Sequence, residues 1–354
     1  MSSYTERMSA KLEELRGKDD IVILAIESSC DETACAVTRG RRILSNVIAS
    51  QIDIHKRFGG VVPEIASRNH VMSISGVVSE ALAKSGVDKH DIDCVAVTYG
   101  SGLLGALLVG VSFAKAFAYA LDKPLLAVNH IKGHIAANYL AFPDLEPPYL
   151  CLIASGGHTA VAKVSGLDEA ETLGSTQDDA CGEAFDKVAR VLGLEYPGGP
   201  QIQKLAESGR NTVPLPTPLK GETGYDFSYS GLKTAVINYV HTARQKGEEI
   251  CAADIAKSFQ TKAVDIMTDV ALRAAIDTGM KKIVIAGGVA ANAYLRESME
   301  KKAREAGIKT YYPPLSLCTD NAAMIASQAY NMIKSGRACA GIDLDAVASI
   351  PIRA

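Results

Sequence analysis

Two histidines four positions apart, His130 and His134, are the clearest chemical signal in the sequence. On a helix this spacing places both imidazoles on one face, with Cβ atoms about 5–6 Å apart, so the two rings could share one cation. A zinc peptidase of the HExxH class needs a glutamate directly after the first histidine as its general base. Position 131 is isoleucine. The pair is therefore half of a different kind of metal site, or two core histidines that share a helix face.

A third ligand would be needed for a stable open metal site. The best candidate is Asp320, in the segment LCTDNAAMIA. It stands just before a predicted helix, where its carboxylate could bind a cation or cap the helix N-terminus. The residues themselves leave both interpretations open, with a simple cap slightly favoured.

Three polar turns at the ends of apolar strands could line a nucleotide-binding cleft. They are ESSCDET at 27–33, SGGHT at 155–159 and GGVAAN at 287–292, where Asn292 is expected in the first turn of a helix. Consecutive backbone N–H groups in such turns can bind anions. Each turn alone also fits ordinary turn chemistry, and the sequence contains no GxxxxGK[ST] phosphate loop.

The segment YGSGLLG at 99–105 matches the GxGxxG pattern of dinucleotide-binding folds. In that fold an acid ends the second strand, but here Asn129 and His130 follow the corresponding strand. We therefore expect these glycines to allow close backbone approach, to neighbouring elements or to a ligand at the helix N-terminus.

Four acids lie near the start of a helix predicted within 178–200: Asp178, Asp179, Glu183 and Asp186. Acids in this position interact favourably with the helix dipole, and a solvated face explains most of them. Asp186 lies further along, between a phenylalanine and an apolar run, which is a less natural place for a purely solvated acid.

These residues must be positioned by alternating strands and helices. The apolar strand, polar turn and second strand at 21–37 are repeated at 149–164, which suggests two related halves. Short apolar runs bounded by Gly and Pro then alternate with helical patterns, as in buried parallel sheets.

We expect an N-terminal extension at 1–20 and a first subdomain at 21–147. A second subdomain follows at 148–319, and a C-terminal helix at about 320–345 completes the first.

Composition limits the function further. The chain has 354 residues, 47% of them hydrophobic, and a net charge of −3, so a non-specific grip on nucleic acid is excluded without a helper or a local basic face. Its eight cysteines form no CxxC pair, as in proteins with reduced thiols. No signal peptide is evident, and the apolar stretch 103–121 contains a lysine and several glycines. We expect a buried helix there, no membrane association and a cytoplasmic location.

Taken together, the motifs resemble those of the TsaD (YgjD/Gcp) family, from about residue 22 to 332 and in one order. The segments that carry this resemblance are IESSCDETACAV, GGVVPEIASRNH, GSGLLGALLVG, NHIKGH, SGGHTA, DDACGEAFDKVARVLGLEYPGGP, FSYSGLKTA, GGVAANAYLR and CTDNAAMIA. The resemblance implies an α/β fold of the actin-like ATPase group (ASKHA, ribonuclease H-like), with two related subdomains and a nucleotide cleft between them.

The resemblance also implies a reaction, the transfer of threonylcarbamoyl from threonylcarbamoyl-AMP to N6 of adenosine 37 in tRNA. It makes His130, His134 and Asp320 ligands of one divalent metal ion, Fe²⁺ or Zn²⁺. The residues it assigns to the adenylate site, which could also hold ATP, ADP or AMP, are Ile153, Ala154, Ser155, Gly156, Gly157, Asp186, Gly199 and Asn292. The partners it implies are tRNA, a TsaB-like paralogue, a TsaE-like ATPase and a separate synthase for the adenylate.

Three other functions stay open from the residues alone. An HxxxH metallopeptidase would cleave glycoproteins, and an actin-like small-molecule kinase would use the same cleft with ATP. A nucleotide-binding scaffold would bind adenylate without turnover.

Overall fold

The computed structural model describes residues 4–219 and 221–353, so part of the expected extension, residues 1–3, lies outside it. We number the elements in chain order. The strands are β1 (Val22–Glu27), β2 (Glu32–Arg39), β3 (Arg42–Ser50), β4 (Cys94–Gly100), β5 (Leu125–Asn129), β6 (Tyr149–Ala154), β7 (Thr159–Val164), β8 (Ala170–Ser175), β9 (Lys282–Ala286) and β10 (Lys309–Tyr311). The helices are α1 (Tyr4–Leu15), α2 (Ile52–Lys56), α3 (Pro63–Ser85), α4 (Leu104–Ala120), α5 (His130–Ala141), α6 (Cys181–Val191), α7 (Gly198–Ala206), α8 (Ser230–Lys246), α9 (Ala252–Asp277), α10 (Ala293–Glu305) and α11 (Ala322–Lys334).

The first sheet has the strand order β3-β2-β1-β4-β5. Strands β1, β2 and β3 pair antiparallel, whereas β4 and β5 continue the sheet in parallel. Every residue of β1 is buried because both faces of the sheet are covered. Residues of α1 and α11 form the core on one face, and residues of α3 and α4 form the core on the other.

The second sheet repeats this plan with the order β10-β9-β6-β7-β8. Strands β6, β7 and β8 are antiparallel, and β9 and β10 are parallel to β6. The correspondence of β6 with β1 and of β7 with β2 confirms that the two similar segments open two related α/β halves. The main core of the second half packs helices α6 to α10 against one face of this second sheet.

Helix α5 lies between the two sheets, which explains why it is buried on all sides. Its Ala137 packs in the core of the first sheet, and its Ile135 and Tyr139 pack against residues of β6 and β9. A Cβ atom at Gly133 would lie 2.7 Å from Ile325 Cδ1. The glycine inside NHIKGH therefore allows α5 and α11 to pack closely.

The two ends of the described chain pack against the rest of the protein. The expected N-terminal extension contains helix α1, whose apolar side packs into the core of the first sheet. Helix α11 packs on that same sheet but ends at Lys334, short of the expected 345, because Gly336 adopts a positive φ of 74°. The chain after Gly336 then contacts both parallel strands: the N–H of Ala340 donates to the Leu125 carbonyl of β5, and the N–H of Val347 donates to the Tyr99 carbonyl of β4. The division at 147 and 148 stays a prediction.

The apolar stretch 103–121 forms α4, with one side buried on the sheet and Leu104 and Leu108 exposed. Among the described residues, no helix combines the length and apolarity needed to cross a bilayer.

Candidate metal and nucleotide site

The histidine pair lies at the beginning of α5, where β5 passes directly into the helix. Asn129 ends β5 and caps α5, because its side-chain oxygen accepts a hydrogen bond of 2.9 Å from the N–H of Ile131. The two imidazole rings are 4.6 Å apart, centroid to centroid, and nearly perpendicular at 80°. The helical spacing thus brings the rings together as expected.

Asp320 joins them from the loop before α11. Its Oδ1 lies 3.2 Å from His134 Nε2 and 3.6 Å from His130 Nε2. The helix cap is its neighbour Asn321, which accepts a hydrogen bond from the N–H of Met324. The capping interpretation of Asp320 is therefore wrong, and its carboxylate faces the imidazoles.

The geometry of these three side chains fits a shared cation better than direct hydrogen bonding. Neither ring nitrogen of His134 makes a hydrogen bond, although the ring is buried and Asp320 is close. One ligand atom from each of the three residues lies within 4.8 Å of the others. Two imidazoles and a carboxylate form a donor set suited to Fe²⁺ or Zn²⁺.

His130 is oriented from behind by Glu27, the last residue of β1. Nδ1 of His130 lies 3.1 Å from Glu27 Oε2 and 3.1 Å from Ser29 Oγ, which leaves Nε2 facing Asp320. Glu27 is fully buried and also accepts hydrogen bonds from Thr98 Oγ1 at 2.6 Å and from the N–H of Ser29. Carboxylates in this position fix the tautomer of a metal-binding histidine.

Sequence reasoning assigned Glu27 no individual role. The signal was present, since a charged residue ends a strand that is otherwise apolar.

The charges in this group act on one another strongly. Burial alone would lower the pKa of His130, but the carboxylates of Glu27 and Asp320 raise it to about 9. Burial would raise the pKa of Asp320, but His130 and His134 lower it to about 2. Burial, with these two histidines, lowers the pKa of the nearby His158 to about 4, so its ring is neutral at pH 7. At pH 7 the carboxyl group of Asp320 is therefore ionised.

The site opens into a cleft of about 520 Å³ between the two halves. From the first half, its walls include residues of the ESSCDET turn and of the YGSGLLG turn, with His130. From the second half, the expected residues that line it are Ser155, Gly156, Gly157, Asp186, Gly199 and Asn292. Ile153 and Ala154 lie behind this wall within buried β6.

Backbone turns on the second half are held by specific contacts. Gly287 adopts φ 93°, and a Cβ there would lie 2.5 Å from the Ala154 carbonyl oxygen. Glycine is therefore required where β6 and the GGVAAN turn meet. Asn292 is the cap of α10, one position before its first turn, and accepts from the N–H of Leu295. Its side-chain amide donates to Gln260.

Asp186 faces the cleft from α6. Its carboxylate accepts a 2.7 Å hydrogen bond from the N–H of Gly198, and burial raises its pKa. It is thus not a solvated surface acid. Across the cleft, Tyr196 Oη lies 3.5 Å from Asp31 Oδ2, so the two halves meet at this edge as well.

The remaining acids of the 178–186 group have structural contacts. Asp178 lies before α6 and accepts hydrogen bonds from the N–H groups of Tyr229 and Ser230, at the beginning of a different helix, α8. Asp179 pairs with Lys187 and Lys233, and Glu183 pairs with Lys187. Only Asp186 of this group lines the cleft.

Comparison with known proteins identifies relatives of this fold and site. The family model of TsaD, tRNA N6-adenosine threonylcarbamoyltransferase, matches residues 42–327. A protein of that name from Clostridium botulinum strain 657 is 51% identical over 337 residues, covering 95% of this chain and 99% of the relative. Another from Clostridium perfringens strain SM101 is 55% identical over 317 residues, covering 89% of this chain and 94% of the relative.

Solved structures confirm the actin-like fold. Full-length HypF, solved in a phosphate- and nucleotide-bound form, matches 90% of this chain and 47% of its own, with a TM-score of 0.60 and 17% identity. Component A of the Acidaminococcus fermentans (R)-2-hydroxyglutaryl-CoA dehydratase matches 88% of this chain and 99% of its own, with a TM-score of 0.53 and 15% identity. At these identities the likeness concerns the fold alone. The family match and the close relatives decide the rest: the chain belongs to the TsaD family of tRNA N6-adenosine threonylcarbamoyltransferases.

Proposed function

We propose that this chain transfers the threonylcarbamoyl group from threonylcarbamoyl-AMP to N6 of adenosine 37, in tRNAs that read codons beginning with A. The bond between N6 and the carbamoyl carbon forms, and the bond from that carbon to the phosphate oxygen breaks. AMP leaves, and N6 loses one proton. The observation that carries this proposal is the meeting of His130, His134 and Asp320 at one end of a cleft lined by glycine turns.

The residues at that end of the cleft would hold one divalent ion, Fe²⁺ or Zn²⁺. When bound, such an ion supplies positive charge that polarises a carbonyl and offsets charge on a phosphate. The protein supplies orientation: Glu27 fixes His130, and the Asn129 cap fixes the beginning of α5. Holding donor and acceptor in one geometry contributes to rate by itself.

The second half of the cleft would bind the adenylate. Ser155, Gly156 and Gly157 form a turn in which the N–H of Ser155 donates to the His158 carbonyl, and the N–H groups of Gly156 and Gly157 suit a phosphate. Ile153 and Ala154 support this turn from β6. Asp186, Gly199 and Asn292 line the same wall and would contact the nucleotide. ATP, ADP or AMP would fit the same position. Nucleotide binding in HypF and an ADPNP-bound dehydratase activator of similar fold supports this assignment.

Partner proteins would bring the tRNA, the proposed nucleic-acid substrate, to this cleft. A net charge of −3 gives the chain little general attraction for RNA. Its α3 and α4 also present exposed apolar side chains, among them Met72 at 83% exposure, Val71 and Leu104, which suit a protein partner. We propose a TsaB-like paralogue and a TsaE-like ATPase as these partners, with a separate synthase supplying threonylcarbamoyl-AMP in the cytoplasm.

The test is a reconstituted reaction with Asp320→Ala. Threonine, bicarbonate, ATP, tRNA and the partner proteins are supplied, and the modified nucleoside is measured by mass spectrometry. We expect product to fall more than ~100-fold, because removing a direct ligand should exceed the ~10–100-fold effect of removing a supporting residue. The control is Asp144→Ala at an exposed position. Normal product from Asp320→Ala, with the fold intact, would contradict the proposal.

A further inference from the structure

The segment after α11 is hydrogen-bonded to the end of β4 and to the turn that follows it, next to the cleft, although the segment lies beyond the matched family region, 42–327. The N–H of Val347 donates to the Tyr99 carbonyl at 2.8 Å, and the N–H of Gly102 donates to the Ala348 carbonyl at 3.0 Å. The side chain of Ile352 is buried with residues of α5 and β6. These contacts fix the segment at both ends of 347–352.

The segment is in direct contact with the YGSGLLG turn. A Cβ atom at Gly100 would lie 2.4 Å from the Val347 carbonyl oxygen, so glycine is needed for this close approach. The N–H of Ile350 donates to Ser101 Oγ at 3.1 Å. Ser101 is buried and lines the cleft.

This turn reaches His130 through one further residue. The N–H of Leu103 donates to the Ser29 carbonyl at 2.7 Å, and Ser29 Oγ lies 3.1 Å from Nδ1 of His130. A displacement of the turn would therefore be passed to a side chain that contacts the imidazole.

A second route leads to the same histidine through Asn129. Its Nδ2 donates to the Pro351 carbonyl at 3.1 Å, while its Oδ1 caps α5 through the N–H of Ile131. Because one end of the carboxamide is held by the C-terminal segment, the other end points at the helix. Rotation of Asn129 would release the first turn of α5, which begins with His130.

We propose that residues 347–351 are positioning residues of the site, holding the beginning of α5 and the 99–103 turn so that His130 faces Asp320. The inference rests on the proposed metal site for its functional consequence, but its structural part can be tested without metal. Two variants separate positioning from global folding.

The first variant lacks residues 346–354. The second is Asn129→Asp, which keeps a side-chain oxygen to cap α5 but loses the donor to Pro351. The matched control is Asn69→Asp, which loses a 2.8 Å donor bond to the Ile65 carbonyl on α3, away from the C-terminal segment. Thermal unfolding establishes that each variant is folded.

Amide hydrogen exchange of the metal-free proteins gives the first measurement. We expect faster exchange at 129–134 in both variants, and at 99–105 in the shortened chain, because Asn129→Asp keeps the contacts of the 99–103 turn with residues 347–350. Exchange in β9 and α10 should be unchanged. The control variant should match the parent chain at 99–105 and 129–134.

Titration with Co²⁺, followed by its visible absorption, gives the second measurement. We expect affinity to fall about 10–100-fold in both variants, as for other supporting residues of metal ligands. A synthetic peptide of residues 346–354 should restore protection and affinity to the shortened chain, and a scrambled peptide should not. Parent-like exchange at 129–134 in both variants would overturn the inference, even if Co²⁺ failed to bind any of the proteins. Failure of the parent chain to bind Co²⁺ would count against the proposed metal site instead.

Discussion

Replacing Glu27 by glutamine tests how the protein prepares His130 for a cation. The substitution keeps size and shape but removes a charge and turns one oxygen into an N–H₂ donor. Both Glu27 oxygens accept hydrogen bonds: one from the N–H of Ser29, the other from Thr98 Oγ1 and from Nδ1 of His130. An amide cannot accept at both ends. If its N–H₂ group replaces Oε1, the N–H of Ser29 loses its acceptor; if the N–H₂ group faces His130 instead, it favours the tautomer that carries the proton on Nε2.

That tautomer is wrong for binding a cation, because Nε2 is the nitrogen that faces Asp320. Two effects of the lost charge oppose each other. Without the carboxylate, His130 loses a cause of its raised pKa of about 9, so fewer protons compete with the cation. The Glu27 carboxylate, however, attracts a dication more strongly than it attracts a single proton. Losing its charge therefore weakens metal binding at His130 more than it weakens proton binding.

The expected net effect is a fall in Co²⁺ or Zn²⁺ affinity of about 10-fold, at the lower end of the 10–100-fold range for supporting residues. This equals about 1.4 kcal/mol of binding free energy. The assay is competition with a coloured chelator at pH 7, with thermal unfolding recorded for each protein.

The control for this variant is Glu32→Gln, in the same turn region. Burial, and then the neighbouring Asp31, raise the pKa of Glu32 to about 9, so its side chain is already neutral at pH 7 and the change removes no charge. We expect parent-like affinity. Unchanged or tighter metal binding by Glu27→Gln would refute the reasoning that this carboxylate sets the tautomer.

Two further predictions concern the architecture of the second half. Gly287→Ala introduces a side chain at φ 93° and 2.5 Å from the Ala154 carbonyl oxygen, so we expect a loss of about 1–3 kcal/mol in unfolding free energy. Gly288→Ala, where no atom lies within 4 Å of the new Cβ, is the matched control in denaturant titrations, and equal stability of the two would contradict the argument. Asp178 should stabilise the beginning of α8 in a pH-dependent way. Burial raises the pKa of its carboxyl group, but hydrogen bonds from Ser228, Tyr229 and Ser230 outweigh burial and lower that pKa. Because the folded-state pKa is depressed, its contribution is present above about pH 4, the unfolded value, and is lost as pH falls through the folded value. Asp178→Asn should therefore show a shallower loss of thermal stability on acidification, and an identical profile would contradict the assignment.

Much of this site could be predicted from the sequence because its signals are local. The spacing of His130 and His134 determines that both lie on one face of α5, and glycines mark the turns at 155–157 and 287–288. The repeated strand–turn–strand pattern predicted two related α/β halves. These features depend on neighbours within a few positions, where periodicity and backbone freedom act directly.

Other features were decided only by the tertiary structure, because they join residues far apart in the chain. The residues before α11 could not show whether Asp320 or Asn321 provides the cap, since both types cap helices well; packing of α11 against α5 brings Asp320 to the histidines. Glu27 contacts His130 only because β1 and β5 flank β4 in one sheet. Long-range contacts of this kind leave no periodic trace in a single sequence. The sequence thus determines which residues could bind a cation or a nucleotide and how they are spaced locally. The packing of the two sheets around α5 brings these residues together in one site.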